Sequence, residues 1–404
     1  MRVTAAAMVM LSATARAEDP GASLTEPAEA LARALECRGE LRAGGRAPVL
    51  LVPGTGSSLE ESFGFGYTHV LPKLGFALCT VRLPGIGLVD MQRSYEYVVY
   101  AIREVARRSG REVSLIGYSQ GAPLAAYAPY FWPDLAAMID DVIGLVGPYH
   151  GTLAAENACG DGACPVFAWQ FRTGSKLNAA YRDRPQPAGP SYTAIATTID
   201  ELVTPAPQAA RLEGASNIVI QHLCAARPID HYLLVGDAVT FALALDALNH
   251  PGPADPSRFD PITCLQTIIP GADLAKAAAA PVSIASVIAR QATAPDIDRE
   301  PPLRCPFDAR ACPAPPPQLR MTRRCTGAGK LRIALAGDLD AVRDVAFKLG
   351  RRLVRRDLSA PFAGTLAGAV LRSTRRTRLR AIVNLAGPGG GRLILARSLA
   401  RCGA

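Results

Sequence analysis

No run of about 18 uninterrupted apolar residues occurs in this chain, so no membrane-spanning helix is expected. The nearest approach, 272–289, is broken by Asp273, Lys276 and Pro281. The absence of any Asn-x-Ser/Thr triplet removes N-glycosylation. Without paired CxxC units or clustered histidines there is no zinc signature, and no GxxxxGK[ST] loop offers a phosphate cradle. No metal and no cofactor is therefore expected. Aromatic residues are few, at 6%, yet 49% of the chain is hydrophobic, which supplies a sizeable core and excludes general disorder. Acidic residues run short at one end: 321–404 has 4 Asp or Glu against 18 Lys or Arg, whereas 1–320 has 31 against 26. The net charge of +9 thus comes from the C-terminal part. An arginine-rich face suits an anionic envelope, polysaccharide or nucleic acid, but no nucleic-acid motif accompanies it and a solvated surface is the simpler reading.

What is present begins with a leader. Arg2, the apolar stretch VTAAAMVML and Ala15-Arg16-Ala17 read as a secretory signal peptide over 1–17. Ten cysteines, an even number, fit an exported protein with disulfides. The length, 404 residues, allows one large domain and a small one. APVLLVPG (47–54), FALCTVRLP (76–84), REVSLIG (111–117), IDDVIGLVG, SYTAIATT and NIVIQHLC read as strands. Helices are expected over 91–108, with Met91, Tyr95, Val98, Ile102 and Val105 at helical spacing, over 120–131, and over 232–248. Alternating strands and helices predict an α/β fold, a mostly parallel sheet covered on both faces. The Pro-rich span 301–324 reads as a linker, and 325–404 as a small basic β-sandwich-like domain.

The chemistry centres on GYSQG at 117–121. It follows a strand and precedes an apolar helix, the setting of a nucleophile elbow that exposes Ser119 in a strained turn. A serine needs a base, and chain order puts it after an acid: Ser, acid, His. His222 falls inside a predicted strand and His250 in a polar loop, so His231, opening a helix, is favoured. Asp200 directly follows the strand SYTAIATT and is the candidate acid. Glu201 is its alternative, and Asp230 adjoins His231 without being aimed at it. The backbone N–H of Gln120 and the Thr55 N–H and hydroxyl, from the VPGTG loop, are the candidate oxyanion donors.

Taken together these segments resemble the Candida antarctica lipase B family. PVLLVPGTG is similar to its first core strand and oxyanion loop, YSQG to its nucleophile turn, WQFRTGS (169–175) to a pocket wall, and DELVTP (200–205) and IDH (229–231) to its acid and base segments. The resemblance covers about 37–300. It implies an α/β-hydrolase over 18–300 and an esterase or lipase without cofactor, with Ser119, Asp200 and His231 catalytic, Thr55 and Gln120 in the oxyanion hole, and Tyr118, Trp169, Phe171 and Leu202 at the substrate. It also implies the bridges Cys37–Cys79 and Cys224–Cys264. Tyr118 stands where the family has tryptophan, Phe171 where it has glutamine, and Pro148 where it has aspartate. Cys159 and Cys164 can cross-link a short lid-like element. Cys305–Cys312 and Cys325–Cys402 are favoured, although the family pattern would pair Cys305 with Cys325.

The function expected is a secreted serine esterase or lipase acting on acylglycerol-like esters. The alternatives are a polyesterase or acyltransferase serving an envelope lipid or sugar, and a non-catalytic surface protein on a hydrolase scaffold. An ester or lipid substrate, contact with a lipid interface through an apolar helix in 267–292, no nucleic acid and a monomeric state complete the expectation.

Overall fold

The computed structural model describes residues 21–42, 46–182, 184–312, 319–326, 330–350, 352–366, 378–386 and 392–398. The proposed signal peptide lies outside them. The chain divides into two compact units, 1–312 and 313–404.

The first unit is built on a seven-stranded sheet. Its strands are β1 (Leu35–Arg38), β2 (Val49–Val52), β3 (Leu78–Val81), β4 (Val113–Tyr118), β5 (Ile139–Leu145), β7 (Ser191–Ala196) and β8 (Ser216–Val219). Their spatial order is β1-β3-β2-β4-β5-β7-β8. Only the edge strand β1 runs antiparallel, against β3; the other pairs are parallel. Two-residue strands β6 (Cys164–Pro165) and β9 (Asp296–Ile297) pair with each other apart from this sheet. The central strands are buried along almost their whole length because each face has its own core, and β2 is apolar at every position. In β2, Leu50 and Val52 join one cluster with the helices Met91–Ser109 and Gly121–Phe131. Val49 and Leu51 join another with the helix Ala238–Asn249. A period of two therefore reads as a continuous hydrophobic run.

The helix Met91–Ser109 buries Met91, Tyr95, Val98, Ile102 and Val105 on one side, as the spacing predicts. Asp90 accepts the Gln92 N–H at its start, and Gly110, at φ 70°, ends it. Three local expectations fail. NIVIQHLC is strand only to Val219; Ile220–Leu223 forms a helical turn that carries His222 outward. The span 232–248 is two helices, His231–Leu234 and Ala238–Asn249, because Asp237 caps the second by accepting the Thr240 N–H. The span 301–324 is not one linker. Glu300 accepts the N–H groups of Lys176 and Leu177 at 2.8 and 2.9 Å. Gln92 donates to Pro302 O and accepts from Arg304 N. Phe307 is buried against Tyr95, Phe131 and Trp132. Residues 300–312 therefore belong to the first unit, and the first strand of the second starts at Leu319.

Disulfides join Cys37–Cys79, Cys159–Cys164, Cys224–Cys264 and Cys305–Cys312. The family-type pairing of Cys305 with Cys325 is thereby excluded. Cys325 is itself disulfide-bonded; Cys402 lies outside the described residues.

In the second unit, β10 (Leu319–Thr326), β11 (Lys330–Gly337) and β14 (Ala363–Leu366) form a three-stranded sheet. β12 (Val342–Leu349), β13 (Arg352–Asp357), β15 (Arg378–Leu385) and β16 (Arg392–Ser398) form a four-stranded one in the order β13-β12-β15-β16. All pairs are antiparallel. One hydrophobic cluster, including Ile333, Leu335, Val345, Phe347, Leu379 and Val383, unites the two sheets as a sandwich.

Candidate active site

Strand β4 ends at Tyr118, and Ser119 takes φ 50°, a left-handed conformation that costs a non-glycine residue about 1 kcal/mol or more. The turn holds because its flanks are fixed. The Ser119 N–H donates to Leu145 O at 2.8 Å. A Cβ on Gly117 would lie 2.3 Å from Gly121 O, and one on Gly121 would lie 2.1 Å from Val52 O. Both glycines are therefore steric requirements of a backbone folded tightly on itself. The result is a serine presented between the carboxyl end of β4 and the helix Gly121–Phe131, at the crevice end of a parallel sheet.

The helix His231–Leu234 brings His231 to that serine. Its Nε2 lies 3.1 Å from Ser119 Oγ. On the far side of the ring, Nδ1 lies 3.0 Å from each oxygen of Asp200. Asp200, in the loop after β7, is held by Leu202 and Val203, whose N–H groups donate to its Oδ1 at 2.9 and 2.7 Å. The ring is 1% exposed as a residue, so it works away from bulk water. Glu201 holds the backbone instead: it accepts the His231 N–H at 3.1 Å and does not touch the ring. Asp230 caps the same helix by accepting the Leu233 N–H. His250 is exposed and bonds Asp246 O.

Thr55 follows β2. Its hydroxyl is buried with no hydrogen-bond partner, leaving a donor for an incoming oxygen. The Gln120 N–H opens the helix after Ser119, where first-turn amides have no intrahelical acceptor. Two braces hold this region. The turn Pro84–Gly87 accepts the Gly56 N–H at Ile86 O, 2.8 Å, and the Gln120 side-chain amide at Gly87 O, 3.1 Å. The helix Ala280–Ala292 supplies the other: Arg290 Nε donates to Gly56 O at 2.9 Å and Gln291 Nε2 to Thr55 O at 2.7 Å. Arg290 also pairs with Glu61, holding that carboxyl below its usual range against the opposing effect of its burial. Arg290, Gln291 and Gly87 escape the sequence reading. The PGIG repeat of glycines at 84–87 hints at the turn, but nothing local marks Arg290 or Gln291.

Two cavities meet at Ser119. The larger, about 590 Å³, is lined by Thr55, Pro148, Ala155, Phe167, Phe171, Leu202, Val203 and Ile288, with Glu201 and Asp296 among its few charged groups. The smaller, about 30 Å³, lies between Tyr118, His231, Val235, Ile284 and Val287. Of the segment 267–292, the residues that line these two cavities fall within 283–292. Phe171 and Leu202 sit at the larger cavity, and Tyr118 at the smaller one, where its hydroxyl donates to His231 O at 3.3 Å. Trp169 is not on either wall. Its indole N–H donates to Ile297 O, and the ring packs beside the Cys159–Cys164 bridge. The indole N–H is thus satisfied by the backbone. Among the described residues no group of His, Cys, Asp and Glu could hold a metal ion, and no helix is long and apolar enough to cross a membrane.

No model of a known protein family matches the sequence. The chain is similar to lipase B of Pseudozyma antarctica, 28% identical over 213 residues, covering 50% of this chain and 61% of that protein's length. Its fold is similar to the crystal structure of Aspergillus fumigatus lipase B, with a TM-score of 0.66, 27% identity and coverage of 71% of this chain and 73% of that one. The first unit accordingly has the α/β-hydrolase fold.

Proposed function

We propose that this α/β-hydrolase-fold chain, similar to lipase B, is a secreted serine esterase or lipase that hydrolyses carboxylic esters. The observation that carries the proposal is the line of contacts from Ser119 through His231 to Asp200, all within 3.1 Å, on a serine held at positive φ. His231 Nε2 accepts the Ser119 proton as Oγ attacks the ester carbonyl. The imidazolium formed is stabilised by the Asp200 carboxylate, which also fixes the tautomer by accepting from Nδ1. Thr55 and Gln120 donate to the oxyanion from positions already set, so no reorganisation is required at the moment charge develops. The alcohol leaves with the proton from His231. Water then repeats the sequence on the acyl-enzyme.

The walls suggest the substrate. Pro148 and Phe171 contribute no side-chain hydrogen-bonding group to the 590 Å³ cavity, which suits an apolar acyl chain. On the other side of Ser119 the 30 Å³ cavity, about one water's share of volume, admits little more than a small substituent. Four internal disulfides within the first unit support export to an oxidising compartment. The test is a panel of esters from short to long acyl chains, run with the wild-type protein and Ser119→Ala. Hydrolysis that depends on Ser119 and extends to long chains supports a lipase. Hydrolysis confined to soluble short esters narrows the assignment to an esterase. Neither turnover nor fluorophosphonate labelling that needs both Ser119 and His231 would defeat the proposal.

A further inference from the structure

The second unit is not used by this chemistry, and its charge needs a reason. Alternate residues of β15 and β12 define the outer face of the four-stranded sheet, because Leu379, Ala381, Val383, Val345, Phe347 and Leu349 fill the core side. Lys348 on β12 stands directly opposite Arg380 on β15, with Leu353 of β13 and Ala396 of β16 completing the row. Arg378 and Arg392 share the same face of their strands. None of Lys348, Arg378, Arg380 and Arg392 has an acidic partner among the described residues. The acid of this face, Asp344, is engaged by Arg343, Arg356 and Asn384. Like charges directly opposite each other weaken an antiparallel pair, and an ordinary solvated face mixes signs. Here the sheet carries that repulsion uncompensated.

Two exposed aliphatic side chains lie among these cations, Leu353 at 52% and Ile394 at 59% exposure. Aromatic residues are missing: Phe347 and Phe362 are the two in 319–404, and both are buried. Stacking on bases or sugar rings therefore has no side chain to use. Cations interleaved with exposed aliphatics are what a bilayer surface recognises, charge meeting headgroup phosphate and apolar tips entering the acyl boundary. We propose that the outer face of the four-stranded sheet docks on an anionic lipid surface through Lys348, Arg378, Arg380 and Arg392, with Leu353 and Ile394 inserting. This goes beyond the catalytic reading and does not rest on it.

The experiment uses the full chain carrying Ser119→Ala, so that no turnover alters the membrane, with phosphatidylcholine vesicles made with and without phosphatidylglycerol. Co-sedimentation is expected with phosphatidylglycerol only, weakening as salt is added. Lys348→Gln, Arg378→Gln and Arg380→Gln together should lower partitioning roughly 100-fold, and each alone about five-fold. Leu353→Ser with Ile394→Ser should also lower it, without a change of charge. Arg320→Gln, Arg324→Gln and Arg332→Gln, on the outer face of the three-stranded sheet, should lower it less than about ten-fold. Thermal melts establish that each variant is folded, and the single substitutions stand in for the triple one if that one unfolds. Absence of binding to phosphatidylglycerol vesicles, equal binding to pure phosphatidylcholine, or equal losses from the two sheet faces would overturn the proposal. So would tighter capture by duplex DNA or a sulfated polysaccharide at matched salt.

Discussion

Gln291 donates its side-chain amide to the carbonyl of Thr55 across 2.7 Å. A peptide group fixed at its oxygen is also fixed in orientation, so a residue 236 positions away along the chain helps aim the loop that carries a proposed oxyanion donor. Gln291→Ala is expected to lower kcat about 10-fold with little change in KM, less than the roughly 100- to 1,000-fold that loss of a donor itself costs. Steady-state kinetics on a soluble ester separate the two. Arg290→Ala should act in the same direction through Gly56 O.

Asp200 and Glu201 are neighbours with different partners, and substitution should separate them. Asp200→Asn removes the acceptor charge from the ring of His231 and is expected to reduce kcat about 10⁴-fold while the protein stays folded. Glu201→Gln leaves the ring untouched and keeps an oxygen for the His231 N–H, so a loss of less than about ten-fold is expected. A comparable collapse in both would remove Asp200 from its assigned role.

Gly121→Ala is expected to destabilise the fold, because its new Cβ would start 2.1 Å from Val52 O, a backbone atom of the central sheet. Overpacking costs about 1–3 kcal/mol, and a clash with fixed backbone belongs at the upper end of that range, readable as a drop in Tm or in denaturant midpoint. Gly174→Ala, with nothing within 4 Å of the new carbon, is the matched control.

Asp141, on β5, has its carboxyl pushed up to about 7, chiefly by burial and further by Asp140, while hydrogen bonds from Ser191 and Ser114 act the other way. Its ordinary value is 3.8. The folded protein therefore holds a proton that the unfolded chain releases. The stability this contributes is full below about 4 and is lost as pH rises towards 7, on the order of a few kcal/mol. Asp141→Asn should flatten that part of the stability–pH curve and raise the denaturant midpoint at pH above 7 relative to wild type. An unchanged slope would show that Asp141 is already ionised in the fold.

The sheet was legible because its central strands pack on both faces, so that β2 appears as an unbroken apolar run and its neighbours as runs broken at one to three polar positions. GYSQG was legible because sterics leave glycine alone at 117 and 121. His231 could be preferred to His222 and His250 from chain order and position, and the fold brings it alone of the three to Ser119. Other features depend on distant contacts. Trp169 looks like a pocket wall in sequence, but its indole N–H turns to Ile297 O, 128 positions away. Strand β12 (VRDVAFKL) sets Arg343 and Asp344 side by side near its start, which breaks the alternation of a half-buried strand, yet it is a central strand of its sheet. The braces from Arg290 and Gln291 arise only where a helix late in the chain returns to a loop near its start.

Phe307 closes an aromatic group with Tyr95, Phe131 and Trp132, although it follows a stretch rich in proline. Anyone wishing to sever the α/β-hydrolase-fold unit from its basic companion should therefore cut after Cys312. A truncation at 300 would strip the plug from three large rings and yield a protein prone to clump.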